Sequence, residues 1–370
     1  MYARTRLVRA RLPIGRLQWM SDVYVLILHP EPGPRAGELE RWVASARGVM
    51  AERHRRGFLA AGATDVTVSG GPPDGIAFGA RLREFVASRR FGGLVVLGSG
   101  AMPMATAADR RAFVAAAGND NGLSALANNR YSADVVAVPK AGNLGALPDL
   151  ATDNALPRWL AEVSGYEVTD LRRRWRLGMD IDGPLDLVLL DDPALPTQPS
   201  AGIVDRVTSR LATVRAVAAN PRAELLVAGR LSASGLVWLE RRTAARTRAL
   251  VEERGLRTVV PGQRPPRSVL GALLDRDGPA SLGMLVAELG EAALIDSRVL
   301  LAHRLGADEA AWPSPEDRFA SDLILHERIA DPWLRNLTRS AAEAKVPIIL
   351  GGHTLVGPGL RLALGPRRVA

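Results

Sequence analysis

Short apolar runs alternate with longer segments of helical spacing along the first half of the chain. The run at 23–28 predicts a buried strand, and the apolar positions from Trp42 to Ala60 predict a helix that Gly62 ends. The same reasoning predicts further strands at 65–69, 94–97 and 135–138, and further helices at 78–87, 107–117 and 157–163. Such alternation is typical of α/β proteins, in which a mostly parallel sheet carries helices on both faces.

The second half resumes this alternation after a segment rich in proline. Residues 191–202 contain three prolines, which predicts a linker, and we expect a domain boundary within about ten residues of Pro196. Strands are then predicted at 225–228, 293–296 and 346–350, and helices at 235–254 and 332–344. The predicted organisation is a basic disordered arm over 1–20, a first α/β domain over 21–192, a linker over 193–202 and a second, smaller α/β domain over 203–370.

Composition narrows the possible chemistry. The chain of 370 residues has no cysteine, which excludes disulfide scaffolds, cysteine-ligated metal sites and thiol nucleophiles. Hydrophobic residues make up 47% and charged residues 24%, a balance typical of a folded globular protein. Because the sequence has neither an apolar run long enough for a membrane span nor a secretory signal pattern, we expect a cytoplasmic protein without a membrane partner.

The formal net charge of +9 would suggest a nucleic-acid partner, but the distribution of charge does not support one. Five arginines and no acidic residue lie within the first twenty positions, a segment that we expect to be disordered, with Met20 as the functional start. Elsewhere arginines are interleaved with acids, as at 240–242 and 252–254, and no aromatic platform accompanies them. Nucleic acid is therefore not the expected partner.

The stretch 94–114 has the pattern of a ligand-binding edge. An apolar strand leads into Gly98, Ser99 and Gly100, and small residues at the carboxyl end of a strand leave backbone N–H groups accessible to an anionic ligand. A tight connection with no ligand would use the same residues. The loop is not a dinucleotide fingerprint, because Pro103 stands where the third glycine would be, and the sequence contains no Walker-type phosphate loop.

A second candidate is the pair Asp180 and Asp182. In a strand, alternation would place both carboxylates on the same face, where a divalent cation would relieve their repulsion. The alternative is structural: Asp182 would cap the next helix, with Pro184 in its first turn and Asp186 favourable to the helix dipole.

Polar side chains precede two other predicted elements. Asn128, Asn129 and Ser132 lie before the strand at 135–138 and could bind a base or sugar edge, or could form an ordinary polar turn. Arg158 suits a phosphate or carboxylate, although a surface ion pair is the alternative. In the second half, His353 is expected to be a turn residue, and the pair formed by Asp296 and Arg298 is expected to be structural.

The stretches at 101–109, AMPMATAAD, and at 180–187, DIDGPLDL, together resemble the nucleotidyltransferases of the GT-A-like α/β fold, which include the molybdenum cofactor guanylyltransferases and the 2-phospholactate guanylyltransferases. Those enzymes show a D-x-P-L-x-T-x-x-D-like run after an apolar strand and a later D-x-D-T-P-x-D-L run. The resemblance covers about residues 22–192. It implies a nucleotide-diphospho-sugar-transferase-like domain that transfers a nucleoside monophosphate from a nucleoside triphosphate to a small phosphorylated or carboxylated acceptor.

The resemblance also implies a set of site residues. Magnesium would be held by Asp180 and Asp182, and the nucleotide by the polar residues named above: Gly98, Ser99, Gly100, Asn128, Asn129, Ser132 and Arg158. The family's first metal-binding aspartate corresponds to Ala101, and the phosphate-binding loop expected at 29–41 retains only Gly33, Arg35 and Gly37 and lacks its lysine. The alternative is therefore a non-catalytic relative that binds a nucleotide or a partner protein. The sequence assigns no function to residues 203–370 and leaves the oligomeric state, including a homo-oligomer, open.

Overall fold

The structure is a computed structural model that describes residues 21–71, 74–88, 92–252 and 264–365. The predicted arm at 1–20 and the end of the predicted helix at 235–254 lie outside these residues. The described residues form two sheets, whose strands are β1 Val23–Pro30, β2 Asp65–Gly71, β3 Gly93–Gly98, β4 Ser124–Ala127, β5 Val135–Val138, β6 Glu167–Asp170, β7 Glu224–Gly229, β8 Arg246–Val251, β9 Ala292–Asp296 and β10 Ile348–Gly351.

The helices follow the predicted alternation with the strands. Those of the first half are α1 Glu38–Ala60, α2 Phe78–Ala87, α3 Ala107–Ala117, α4 Leu156–Glu162 and α5 Pro184–Leu190. Those of the second half are α6 Asp205–Ala218, α7 Ala233–Arg242, α8 Val269–Asp277, α9 Leu282–Leu289, α10 Ser297–Leu305, α11 Pro315–Asp322, α12 Pro332–Glu343, α13 His353–Val356 and α14 Leu360–Leu364. The predicted α/β class is therefore confirmed. Within the described ranges, no helix combines the length and the apolar character needed to cross a membrane.

The first sheet has the strand order β2-β1-β3-β5-β4-β6 and is mixed. Only β5 among these strands runs antiparallel to its neighbours β3 and β4. The cause is the short connection at 128–134, because parallel neighbours need a crossover of a dozen or more residues. The apolar run at 135–138 predicts β5, whereas β4 and β6, which are short strands of four residues each, were not predicted from the sequence.

Helices cover both faces of the first sheet. Phe58 of α1 and Phe113 of α3 pack against one face, and Leu82 of α2 and Trp159 of α4 pack against the other. Alternate residues of the buried strands supply each face, as the period of two in a strand requires. Because helices cover both faces of the sheet, a ligand can reach it only at the ends of the strands, where the loops lie.

The second sheet is parallel, with the order β10-β9-β7-β8. The sequence prediction of one helix across 235–254 is wrong, because α7 ends at Arg242 and Arg246–Val251 forms edge strand β8 on β7. Alternate residues of β8 are exposed, so its apolar positions do not form the continuous run by which the other strands of this half were identified.

The two sheets lie on either side of the predicted linker, but one hydrophobic core crosses it. Buried residues of α1 and α5, among them Trp42 and Leu185, belong to the same core cluster as the second sheet. The linker itself is anchored, since the Trp42 indole Nε1 donates a hydrogen bond to the Pro196 carbonyl over 3.1 Å. Division of the chain into two independent domains at this segment stays a prediction.

Candidate functional site

The carboxyl ends of β1 and β3 form the topological switch point of the first sheet. From β1 the chain continues to β2 on one side, and β3 then lies on the other side; ligands of open α/β sheets bind in the crevice that such a reversal creates. At this point the Ser99 hydroxyl lies 3.0 Å from Nδ1 of His29, and the Ser99 N–H donates to the Leu28 carbonyl. Ser99 is thus buried and held against β1.

The structure brings together the two stretches that carry the family resemblance. The Ile181 N–H donates to the Gly100 carbonyl over 3.1 Å, and the Met102 N–H donates to the Met179 carbonyl over 3.0 Å. These bonds flank an antiparallel bridge between Ala101 and Asp180. A Cβ atom at position 100 would lie 2.7 Å from Oδ1 of Asp180, so this close approach requires glycine.

Ala101 faces the protein core rather than an open site. Its side chain is in the core cluster of the first sheet, and its carbonyl lies 2.7 Å from Nε2 of His54 on α1. Burial, with a further effect of the positive charge of Arg110, lowers the pKa of His54 to about 3. The imidazole is therefore neutral at ordinary pH, and its Nε2–H donates to Ala101.

A protein cation stands beside Asp182. Nη2 of Arg47 lies 3.6 Å from Oδ1 of Asp182, and Nδ1 of His353 lies 3.4 Å from Oδ2. Arg47 is held in this position because its Nε donates to the Ile181 carbonyl over 2.7 Å. The charge that Asp182 would offer to a metal is thus balanced by the guanidinium of Arg47.

The described residues around Asp182 offer few ligands for a magnesium ion. A hard divalent cation needs several oxygen ligands, and the part of the chain that the structure describes contains no group of three or more acidic or histidine side chains placed to hold one. The alanine at 101 adds no ligand. Magnesium binding by Asp180 and Asp182 stays a prediction of the sequence.

Helix α5 is capped by Asp186 and not by Asp182, so the capping alternative given for Asp182 is wrong. The N-cap residue is Gly183, and Oδ2 of Asp186 accepts the N–H groups of Asp182 (2.9 Å) and Gly183 (2.8 Å). Burial, together with the negative charge of Asp182, raises the pKa of Asp186 well above its ordinary value. Its carboxyl group therefore holds a proton more readily than an exposed one.

An open cleft of about 360 Å³ lies between the two sheets. From the first half, the segment after β1, helix α1 and the start of α5 contribute Gly33, Arg47 and Asp182. From the second half, the carboxyl ends of β7, β9 and β10 and helix α11 contribute Arg230, Arg298, His353 and Arg318. Of the residues predicted to bind nucleotide or metal, only Asp182 is among the described residues that line this cleft.

Buried ion pairs hold the arginines of the second half. Arg230 donates to both carboxylate oxygens of Asp296, over 2.6 and 3.0 Å. Arg298 donates to both oxygens of Asp322, each over 2.6 Å. The predicted pairing of the Asp296 and Arg298 side chains is wrong. Asp296 accepts a hydrogen bond from the backbone N–H of Arg298 and not from its guanidinium. The first ion pair connects the end of β7 to the end of β9, and the second connects α10 to α11.

The polar residues that precede β5 form hydrogen bonds within the protein. Nδ2 of Asn128 donates to Asp134 and to the Leu177 carbonyl, while its Oδ1 accepts the Asp134 and Val135 N–H groups. Both amide donors are thus taken, so a direct contact of Asn128 with a base would break these bonds. Oδ1 of Asn129 accepts the Tyr131 N–H in a turn.

Ser132 and Arg158 are likewise engaged. The Ser132 hydroxyl donates to Oδ1 of Asn154 over 2.8 Å. The exposed Arg158 pairs with Glu162 one helical turn away, as the ion-pair alternative predicted. Neither contact leads to the cleft, so the geometry does not carry the predicted ligand roles of Ser132 and Arg158.

The N-terminus of α1 holds a carboxylate from the second half. Glu316 of α11 accepts the N–H groups of Leu39 (3.0 Å) and Glu40 (3.1 Å). A Cβ atom at Gly37 would overlap the Glu316 side chain. Because the resemblance implies a phosphate cradle in the loop that leads to this helix, the structure differs from that expectation: these amides already bind an internal anion.

Sequence reasoning missed Arg47 and Arg230 as cleft residues. Arg47 lies in the middle of a predicted helix, where an arginine gives no signal of its own. Arg230 directly follows β7, so the rule that ligands bind at the carboxyl ends of parallel strands could have indicated it.

Comparison with known proteins does not assign the chain to a family. No protein-family model matches the chain, and no match to it is found among curated proteins. The function is therefore inferred from the geometry of the cleft and of the edge beside it.

Proposed function

We propose that the protein is a divergent nucleotidyltransferase-like protein that binds a nucleoside triphosphate, or a related phosphorylated small molecule, in the cleft between its two sheets. The observation that carries the proposal is that strands of both sheets point their carboxyl ends at this one cleft, with Asp182 on its wall. Ligands of open α/β sheets bind at such edges. A cytoplasmic setting, where nucleoside triphosphates are available, is part of the proposal.

The lining of the cleft supports a ligand with charged and flat aromatic parts. Arg47 offers guanidinium donors, which suit phosphate oxygens. Trp312 and Phe319 line the cleft as well, and aromatic side chains favour contact with a planar base. This combination of groups is what a nucleotide requires of a site.

The surroundings of Asp182 favour binding without a carboxylate-held metal. Arg47 supplies a positive charge within 3.6 Å of Asp182, and Ala101 is packed into the core. We therefore favour the non-catalytic relative among the two functions that the resemblance implies. In this form no metal is needed at Asp182, because Arg47 neutralises its charge.

Magnesium-dependent nucleotidyl transfer is the second candidate. The bridge between Ala101 and Asp180 favours it, because it brings the carboxylates of the second stretch next to the loop at 98–102. Under this function the substrate would be a nucleoside triphosphate and the acceptor a small phosphorylated or carboxylated molecule.

Isothermal titration of the common ribonucleoside triphosphates, with magnesium and with EDTA, tests the proposal. We expect one nucleotide to bind in both conditions with affinities that agree within about twofold, and we expect Arg47→Gln to weaken binding about tenfold or more. The exposed Arg276 of α8 provides the matched control, since Arg276→Gln removes the same charge outside the cleft.

Two results would decide against this proposal. If no ribonucleoside triphosphate binds at about millimolar concentration, nucleotide binding is excluded as the function. If binding needs magnesium and is lost in the double variant Asp180→Asn/Asp182→Asn, the protein uses the carboxylates for metal, and the second candidate replaces the first.

A further inference from the structure

Arg230 occupies the switch point of the second sheet, where the chain runs from β7 to β8 on one side and β9 lies on the other. Gly229, with φ of +130°, precedes it, and a Cβ atom there would lie 2.3 Å from Cβ of Asp296. Only glycine allows β7 and β9 to end so close together. The sequence thus places a guanidinium and a carboxylate side by side at the crevice that the switch point forms.

The Asp296 carboxylate orients the guanidinium of Arg230. Asp296 accepts from Nε and Nη2 of Arg230, which fixes the plane of the group. Nη1 is left at the other side of the fork, and no described residue accepts a hydrogen bond from it. A guanidinium held in this way keeps donors in a fixed direction for a ligand.

The positive ends of two buried ion pairs reach the cleft. The side chains of Arg230 and Asp296 are 15% and 0% exposed, and those of Arg298 and Asp322 are 13% and 2% exposed. The Asp296 carboxylate therefore lies behind the Arg230 guanidinium as seen from solvent, whereas Asp322 lines the cleft beside Arg298. Although the pair of Arg230 and Asp296 is neutral as a whole, the group nearest to a ligand at Arg230 is the cation, which favours an anion at this point of the wall.

We propose that this wall is an anion subsite, at which Arg230 and Arg298 bind the carboxylate or phosphate group of a small molecule. The subsite is formed by residues of the second half and does not depend on nucleotide binding by the first. Through this subsite the second sheet would bind an anionic group. That group would occupy the same cleft as the ligand of the first sheet.

Titration with inorganic phosphate and with malonate, at constant ionic strength, tests the subsite and distinguishes the two ligand classes. The double variant Arg230→Gln/Asp296→Asn removes the pair together, so that no buried charge is left without its partner. We expect at least one anion to bind the wild-type protein and to lose about tenfold or more in affinity in this variant. The control Arg276→Gln/Asp277→Asn, an exposed pair on α8, should bind like the wild type.

A second variant keeps the test valid if the double variant does not fold. Arg230→Lys retains the charge beside Asp296 but cannot form the fork, and we expect it to weaken anion binding by about three- to tenfold. The proposal is overturned if neither anion binds the wild type, or if a folded Arg230 variant binds both anions as well as the wild type does.

Nucleotide titration of the same proteins separates this proposal from the preceding one. If phosphate or malonate binds and depends on Arg230 while no nucleotide binds, the anion subsite stands and the nucleotide proposal fails. If a nucleotide binds and neither small anion does, the reverse holds.

Discussion

At the scale of single residues, position 101 shows how one side chain separates a resemblance from a function. Its neighbours in the stretch resemble the family's run, and an isolated antiparallel bridge places Asp180 opposite it. The Ala101 side chain nevertheless belongs to the buried core on the α1 side of the sheet. A carboxylate here would have to leave the core or be buried beside His54.

We expect Ala101→Asp to destabilise the protein and not to restore a metal site. Burial of a carboxyl group without partners should lower the free energy of unfolding by about 2 kcal/mol or more. Urea denaturation measures this change, with Ala108→Asp as the matched control, because Ala108 is exposed in the first turn of α3 and should tolerate an acid. A stable Ala101→Asp protein that gains magnesium-dependent nucleotide binding would contradict the account of this position.

A second prediction at the scale of single residues concerns His54 and the dependence of stability on pH. Burial, with the charge of Arg110, lowers its pKa from an ordinary 6.5 to about 3 in the folded protein. Between these values the unfolded chain binds a proton that the folded protein does not, so His54 makes the free energy of unfolding fall as the pH drops from 6.5 towards 3. Its contribution should approach about 1.4 kcal/mol per pH unit.

The variant His54→Gln keeps an N–H donor for the Ala101 carbonyl but does not titrate. We therefore expect the free energy of unfolding, measured by urea denaturation from neutral pH down to the acid limit of stability, to depend less steeply on pH in the variant. Parallel curves for the two proteins would show that His54 is not responsible.

At the scale of elements, local pattern predicted most of the first sheet and failed at particular strands. The fully apolar strands β1, β3 and β5 were recognised because burial on both faces leaves a continuous apolar run. The prediction of helix at 246–251 is wrong because β8 is an edge strand, in which Arg246 and Arg248 are exposed. Backbone pairing with β7 makes this segment a strand, and a local sequence pattern carries no information about that pairing.

At the scale of the whole molecule, the two halves depend on each other through α1. Buried residues of this helix belong to the same core cluster as the second sheet, and its first turn is capped by Glu316 of α11 across 277 positions of sequence. Arg328 in turn contacts Glu316 and Glu38. The cleft lies beside this contact, so its shape depends on how the two halves are joined.

We expect Glu316→Ala to destabilise the protein as a whole. Loss of a charged cap at a helix N-terminus should lower the free energy of unfolding by about 1 kcal/mol, as measured by urea denaturation. Glu343→Ala, at an exposed position of α12, is the control and should change stability by no more than about 0.5 kcal/mol. Equal stability of the Glu316 variant and the wild type would show that the contact does not hold the halves together.

The sequence by itself determined the α/β class and the buried strands, because apolar periodicity is a local property. Only the tertiary structure decided that Arg47 neutralises Asp182 and that the hydrogen-bonding groups of Asn128 are used within the protein. It also decided that Asp182 and Arg230 line the same cleft. Such contacts join residues far apart along the chain, 134 positions for Arg47 and Ile181, and their geometry arises only when both sheets and the core between them have formed.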